Sequence, residues 1–144
     1  MIVRSHHIAE AHATDLRRRR SRSQTQALTA RAQHLGPRER RLIEALFDEG
    51  RPCSTIAAEF GRDARAVRRE ARGITRRLLD PRFDFVTTYG GAWRPTRKRI
   101  AEALYIHGLG LRKTARQLGL SLYSVRRHRD AIEALFEARA HATQ

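Results

Sequence analysis

Residues Leu111 to Phe136 read LRKTARQLGLSLYSVRRHRDAIEALF, and their pattern decides the fold of the chain. Leu111 to Leu118 is a short amphipathic run that meets Gly119, Ser121 then offers an N-cap hydroxyl, and Val125, Ile132 and Phe136 return at helical spacing. A short helix, a glycine turn and a longer helix make a helix-turn-helix. The second helix keeps few apolar positions inward. That leaves Arg126, Arg127, His128 and Arg129 largely outward, the arrangement a helix needs to read base edges in a DNA major groove.

A second copy lies upstream. Shifting the chain by 58 positions brings Gly61 onto Gly119 and also pairs Glu44 with Glu102, Ala45 with Ala103, Leu46 with Leu104 and Gly50 with Gly108. Ala57 then falls on Ala115, Val67 on Val125, Arg68 on Arg126, Arg69 on Arg127 and Ile74 on Ile132. These identities fall on turn glycines, core positions and outward arginines, which composition alone does not explain. The expectation is an all-α fold of two tandem three-helix helix-turn-helix units.

The residues now quoted carry a resemblance. Ala115, the turn Gly119, the pattern Ser-x-x-Ser-Val-x-x-His from Ser121 to His128, and Ile132 resemble the output domain of LuxR-type regulators and are similar to region four of bacterial sigma factors. In both families the two residues after the core Val face base edges, so the resemblance implies that role for Arg126 and Arg127. The stretch LGPRERRLIEALFDEG, Leu35 to Gly50, resembles the start of sigma region four and implies contact with RNA polymerase. The chain departs from both families at Leu111 and Cys53, where a Ser or Thr cap is usual.

Residues 1–36 form a basic N-terminal arm with net charge +5. Ile8, Leu16, Ala27, Leu28 and Leu35 suggest partial helix, and the tract Arg17, Arg18, Arg19, Arg20 and Arg22 is placed to touch phosphates, or else is a solvated tail. His6, His7 and His12 have no carboxylate or thiol spaced to complete a metal site, so no metal or other cofactor is expected.

Unit one, 37–80, opens with Pro37 and the stripe Leu42, Ile43, Leu46 and Phe47, continues with Ile56, Ala57 and Phe60, and caps its third helix with Asp63. Val67, Ala71, Ile74 and Leu78 point inward; Arg62, Arg65, Arg68, Arg69, Arg72 and Arg76 point outward as DNA-contacting candidates. The unit nets only +3, from eleven basic and eight acidic residues, and Ala64 and Ala66 stand where base readers usually sit. It is expected to grip backbone or a protein partner more than to read sequence.

Residues 81–94 break the helical period. Phe83, Phe85 and Thr87 alternate and Gly90-Gly91 is suited to a turn, so a short hairpin and a plain aromatic linker both fit. As an extended linker, the roughly sixteen residues from Leu79 to Pro95 reach about 50 Å, enough for reading helices one DNA turn, about 34 Å, apart. Unit two, 95–144, starts with Thr96 as cap and Ile100, Ala103, Leu104 and Ile106 as its apolar side. From Thr96 to Ala140 it nets +6, from ten basic and four acidic residues. Arg112, Lys113 and Arg116 are placed to meet phosphates, and Leu122, Tyr123, Ser124, Arg126 and Arg127, with Ser121 beside them, to face the groove.

The chain of 144 residues carries a formal charge of +15 and a pI of about 11.6, which favours a polyanionic partner. Twenty-eight of its thirty basic residues are Arg, through a GC-rich genome or because Arg contacts guanine and phosphate with two donors. No run of apolar residues is long enough for a signal peptide or a membrane span, so cytoplasmic residence on the nucleoid is expected. The single Cys53 excludes an intrachain disulfide and sits where a helix begins, as a small capping residue or a redox-sensing thiol. No Gly-rich phosphate loop, metal spacing or nucleophile with a readable base points to an enzyme. The expectation is a sequence-specific transcription regulator on double-stranded DNA without a small-molecule ligand. An architectural or packaging protein, or the binding module of a transposase or recombinase, is the alternative.

Overall fold

The computed structural model describes residues 21–144, and all regular structure in that range is helical. Helix α1 covers 21–32, followed by α2 (Pro37–Phe47), α3 (Cys53–Glu59), α4 (Ala64–Leu79) and α5 (Pro81–Tyr89). A single 3₁₀ turn, Gly90–Ala92, leads to α6 (Pro95–Ala101), which runs on through a π-helical turn, Glu102–Ile106, before α7 (Leu111–Leu118) and α8 (Leu122–Ala142).

The 58-residue shift seen in the sequence is also visible in the backbone. Gly50 and Gly108 have φ of 64° and 65°, and Gly61 and Gly119 have 60° and 64°, left-handed values that glycine adopts without a Cβ penalty. Hydrogen bonds recur at the same shift: Arg51 N to Ala45 O (3.0 Å) matches Leu109 N to Ala103 O (2.9 Å), and Arg62 N to Ala57 O (2.8 Å) matches Leu120 N to Ala115 O (2.9 Å). Ala45, Ala57, Val67 and Ile74 are buried, and so are Ala103, Ala115, Val125 and Ile132. Asp63 and Ser121 each cap the helix that follows, accepting from Ala66 N (3.0 Å) and Ser124 N (3.1 Å). Thr96 does not cap α6: Arg94 holds the N-cap position and Pro95 opens the first turn, where its fixed φ suits the helix and its missing N–H is one the helix leaves unpaired.

Residues 81–94 correct the expected hairpin or linker. Asp80 accepts a hydrogen bond from Arg82 N (2.9 Å) and Pro81 starts α5, so Asp-Pro opens a helix where the alternating aromatics suggested a strand. Phe83, Phe85 and Val86 are all buried, while Pro81, Asp84 and Thr88 leave a narrow wet face on α5. Phe85 lies 5.3 Å from Tyr89, 5.6 Å from Trp93 and 5.5 Å from Phe136 between ring centroids.

One core therefore runs through both halves. It joins Leu28, Ala32 and Leu35 to Ile43, Ile56, Val67, Leu78, Phe83, Val86, Ile106 and Ile132, while a smaller cluster, Ile100, Ala115 and Val125, lies between α6, α7 and α8. The N-terminal segment is part of this body from α1 onward, where Arg31 donates to Leu78 O at 2.7 Å. Arg22 is exposed on α1; Arg17, Arg18, Arg19 and Arg20, and the three N-terminal histidines, lie outside the described residues.

A polar tie reinforces the junction. Arg77 of α4 donates to Glu39 of α2 and to His107 O (3.0 Å) at the end of the π turn. It lies so close to the Gly108 turn that a Cβ there would stand 2.3 Å from Arg77 Nη1. The independent reach of an extended linker is thus absent: the separation of α4 from α8 is set by packing.

Candidate nucleic-acid interface

On α8, burial of Val125 and Ile132 fixes which face is left outside. Tyr123 is 71% exposed, and Arg126 and Arg127 are exposed beside it. Ser121 is exposed but its Oγ is engaged in the cap, and Ser124 is half-buried. On α7, Thr114 and Ala115 turn inward while Arg112, Lys113 and Arg116 are exposed. None of these five basic residues has a carboxylate within salt-bridge distance among the described residues.

The outward set of α8 is smaller than its sequence suggests. Arg129 bonds Asp130 at 2.9 Å, and His128 is half-buried with a buried Nδ1 that has no hydrogen-bond partner. Burial lowers the basicity of His128, and the positive charges of Arg97 and Arg127 lower it further. Both His128 and Arg129 flank the face that carries Arg126 and Arg127.

On α4, Arg65, Arg68, Arg69, Arg72 and Arg76 are exposed and have no carboxylate partner among the described residues. Arg62 is engaged within the protein: its guanidinium lies on Glu70 at 2.6 Å, and Arg38 approaches the same carboxylate at 3.6 Å. Beside the remaining arginines runs a groove lined by Leu46, Phe47, Cys53, Ala71 and Leu79, with Arg68, Arg72 and Arg76 at its rim. Cys53 is half-buried at the first position of α3, next to the N-cap Pro52.

Sequence reasoning missed the residues that hold α8 in place. Arg82 Nε donates to Glu133 at 2.9 Å and Tyr105 OH donates to the same carboxylate at 2.7 Å, joining α5, the π turn and α8. Burial, then the Glu133 hydrogen bond and charge, push the Tyr105 phenol well above its ordinary value, so it remains a donor. Only a three-dimensional contact exposes this set, because its members are 23, 28 and 51 residues apart in sequence. Among the described residues no helix is long and apolar enough to cross a membrane. Comparisons with family models, curated proteins and solved structures find no match to this chain.

Proposed function

We propose that this chain is a DNA-binding transcription regulator built from two tandem helix-turn-helix units, α2 to α4 and α6 to α8, with α8 entering a major groove. The observation that carries the reading is the exposed, unneutralised triad Tyr123, Arg126 and Arg127 on the first turns of α8, next to Arg112, Lys113 and Arg116 on α7. A guanidinium facing water is the donor set that pairs with guanine O6 and N7, and neighbouring cations on α7 suit the flanking phosphates. No cofactor or small-molecule ligand enters this reading. Residence in the cytoplasm on the nucleoid follows from it.

In the same reading α4 grips backbone through Arg65, Arg68, Arg69 and Arg72, and the apolar groove at its rim favours a protein contact, with RNA polymerase as the partner of a sigma-like activator. The five unneutralised arginines on α4 also favour a second reading, an architectural protein that binds DNA with little sequence preference. Mapping bound sites across the native genome, followed by titration of one mapped site against random duplex, separates the two. A regulator binds its site about a thousandfold or more tighter than random duplex at physiological salt, whereas an architectural protein binds both alike. Nuclease-treated purification from the host tests the polymerase contact: loss of every polymerase subunit rejects it.

A further inference from the structure

Tyr123 is the second residue of α8 and stands 71% exposed, on the first turn, which a groove-entering helix presents to base edges. The other two tyrosines of the chain are engaged within the protein: Tyr89 packs on Phe85 with Arg139 over its ring at 3.8 Å, and Tyr105 donates to Glu133. Tyr123 makes no aromatic or cation contact among the described residues. One exposed aromatic is ordinary on a protein surface, so its neighbours decide its meaning. Its turn is fixed by the Ser121 cap, which accepts from Ser124 N at 3.1 Å, and by Val125, which is fully buried. Arg126 and Arg127, three and four residues on, are exposed on the same face, with Cβ atoms about 5–6 Å from that of Tyr123. Ring and guanidinium groups therefore reach base pairs one or two steps apart, at about 3.4 Å per step.

The other half supplies the contrast. At the shift of 58, Arg65 stands where Tyr123 stands, and Arg68 and Arg69 stand where Arg126 and Arg127 stand. All three α4 arginines are exposed, with no carboxylate partner among the described residues. That triplet is uniformly cationic and suits phosphates, which carry no sequence information. The α8 triplet differs from it at one position, where an aromatic ring replaces a charge. The phenol hydroxyl can donate to a phosphate, but the ring gains only from apolar surface. On base edges in the major groove, that surface is the C5-methyl group of a pyrimidine.

We propose that Tyr123 is a specificity-determining residue whose ring packs on the C5-methyl group of a pyrimidine one or two base pairs from a guanine held by Arg126 or Arg127. This rests on the reading of α8 as the groove-entering helix. The methyl group belongs to thymine or to 5-methylcytosine, and burying it raises affinity about fourfold. The preferred site is a guanine with a methyl-bearing pyrimidine close by, a preference that α4 lacks because it has no ring.

The test is anisotropy of a labelled mapped site with the full chain, in duplexes altered one base at a time. Deoxyuridine in place of thymine removes only the methyl group, 5-methylcytosine in place of cytosine adds only that group, and 7-deazaguanine removes the N7 acceptor of guanine. At one pyrimidine within two steps of a guanine that needs its N7, the methyl group should raise wild-type affinity about fourfold. A loss with deoxyuridine assigns thymine there, and a gain with 5-methylcytosine assigns the methylated base. Tyr123→Ala, which leaves the core intact because the ring is exposed, should bind both forms of the duplex alike. Tyr123→Phe should keep the preference, and Tyr123→Arg, which copies the α4 triplet, should lose it. The absence of any methyl effect near such a guanine overturns the proposal and leaves α8 as the reading helix. A methyl effect that survives Tyr123→Ala, or that vanishes in Tyr123→Phe, overturns it in the same way. Wild-type protein indifferent to every guanine N7, or an N7 dependence that survives Arg126→Ala/Arg127→Ala, overturns the reading of α8 and this assignment with it.

Discussion

At Glu70 in α4 and His128 in α8 the two halves of the molecule use one backbone position for opposite ends. Glu70 holds Arg62 and Arg38 within the protein, whereas His128 has no carboxylate within salt-bridge distance among the described residues, and burial and the positive charges of Arg97 and Arg127 lower its basicity. The turns, buried alanines and helix caps of the two halves superimpose along the chain at a shift of 58, so this difference is one of chemistry rather than of path. Net charge follows it, with +3 in residues 37–80 and +6 from Thr96 to Ala140. The lesson is that a count of arginines says little about a binding face until each has been checked for an internal anion.

Both halves are compared as parts of one folding unit, and the largest expected effect tests that. Phe83→Ala removes a fully buried ring from the core that the halves share and should cost about 3–5 kcal/mol. Thermal unfolding followed at Trp93 and by helical circular dichroism should move to lower temperature as one transition. Two separable transitions would break the comparison.

The paired glycines sharpen it further. Gly50→Ala and Gly108→Ala both place a Cβ at φ near +65°, which costs about 1–2 kcal/mol. Only at Gly108 does the Cβ meet another side chain, 2.3 Å from Arg77 Nη1, while at Gly50 nothing lies within 4 Å. Chemical denaturation should therefore show Gly108→Ala to be the more damaging by about 1 kcal/mol, because the hydrogen bond from Arg77 to His107 O is broken. Equal losses would mean that Arg77 does not tie the halves.

The helix caps give a smaller effect. Asp63→Ala and Ser121→Ala should each cost about 1 kcal/mol in the same assay, since each cap satisfies one orphan backbone N–H. A Ser121→Ala loss visible in DNA affinity but absent from stability would move Ser121 from the scaffold to the interface.

The smallest effect is on pH. His128 has a folded-state basicity below its ordinary value, so the unfolded chain takes up the proton first on acidification. Free protein should lose stability as pH falls through about 6.5, the ordinary histidine value, and the loss should level off below the folded-state pKa. His128→Gln should flatten that decline. A wild-type profile that rises on acidification would contradict a His128 whose basicity is lowered by burial and neighbouring positive charge.

Much of this architecture is legible in the residues because it is local. Gly61 and Gly119 announce left-handed turns, Asp63 and Ser121 announce caps, and Val67, Ile74, Val125 and Ile132 announce buried faces at helical spacing. Residues 81–94 mislead because the wet face of α5 is narrow, carrying Pro81, Asp84 and Thr88, so that the alternation of Phe83, Phe85 and Thr87 reads as a strand; Asp80-Pro81 is the local signal that does mark the helix start. The apolar positions Leu28 and Leu35 are visible in the sequence, but their burial against the far half is not, since it depends on contacts such as Arg31 with Leu78 O. For the candidate interface, exposure of Arg126 and Arg127 follows from the period. The pairing of Arg62 with Glu70 requires the fold.

The central claim is that α8 reads sequence while α4 holds backbone, and one set of binding isotherms tests it directly. Wild type, the Arg126→Ala/Arg127→Ala double variant and the Arg68→Ala/Arg69→Ala double variant are titrated against a mapped site and a random duplex over a range of salt. The α8 variant should weaken by about 1–3 kcal/mol for each base-reading arginine removed on the mapped site, closing the gap to random duplex. The α4 variant should weaken on both duplexes alike, with a salt slope shallower by about 0.9 for each phosphate no longer held. An α8 variant that keeps wild-type affinity and selectivity on the mapped site would contradict the account.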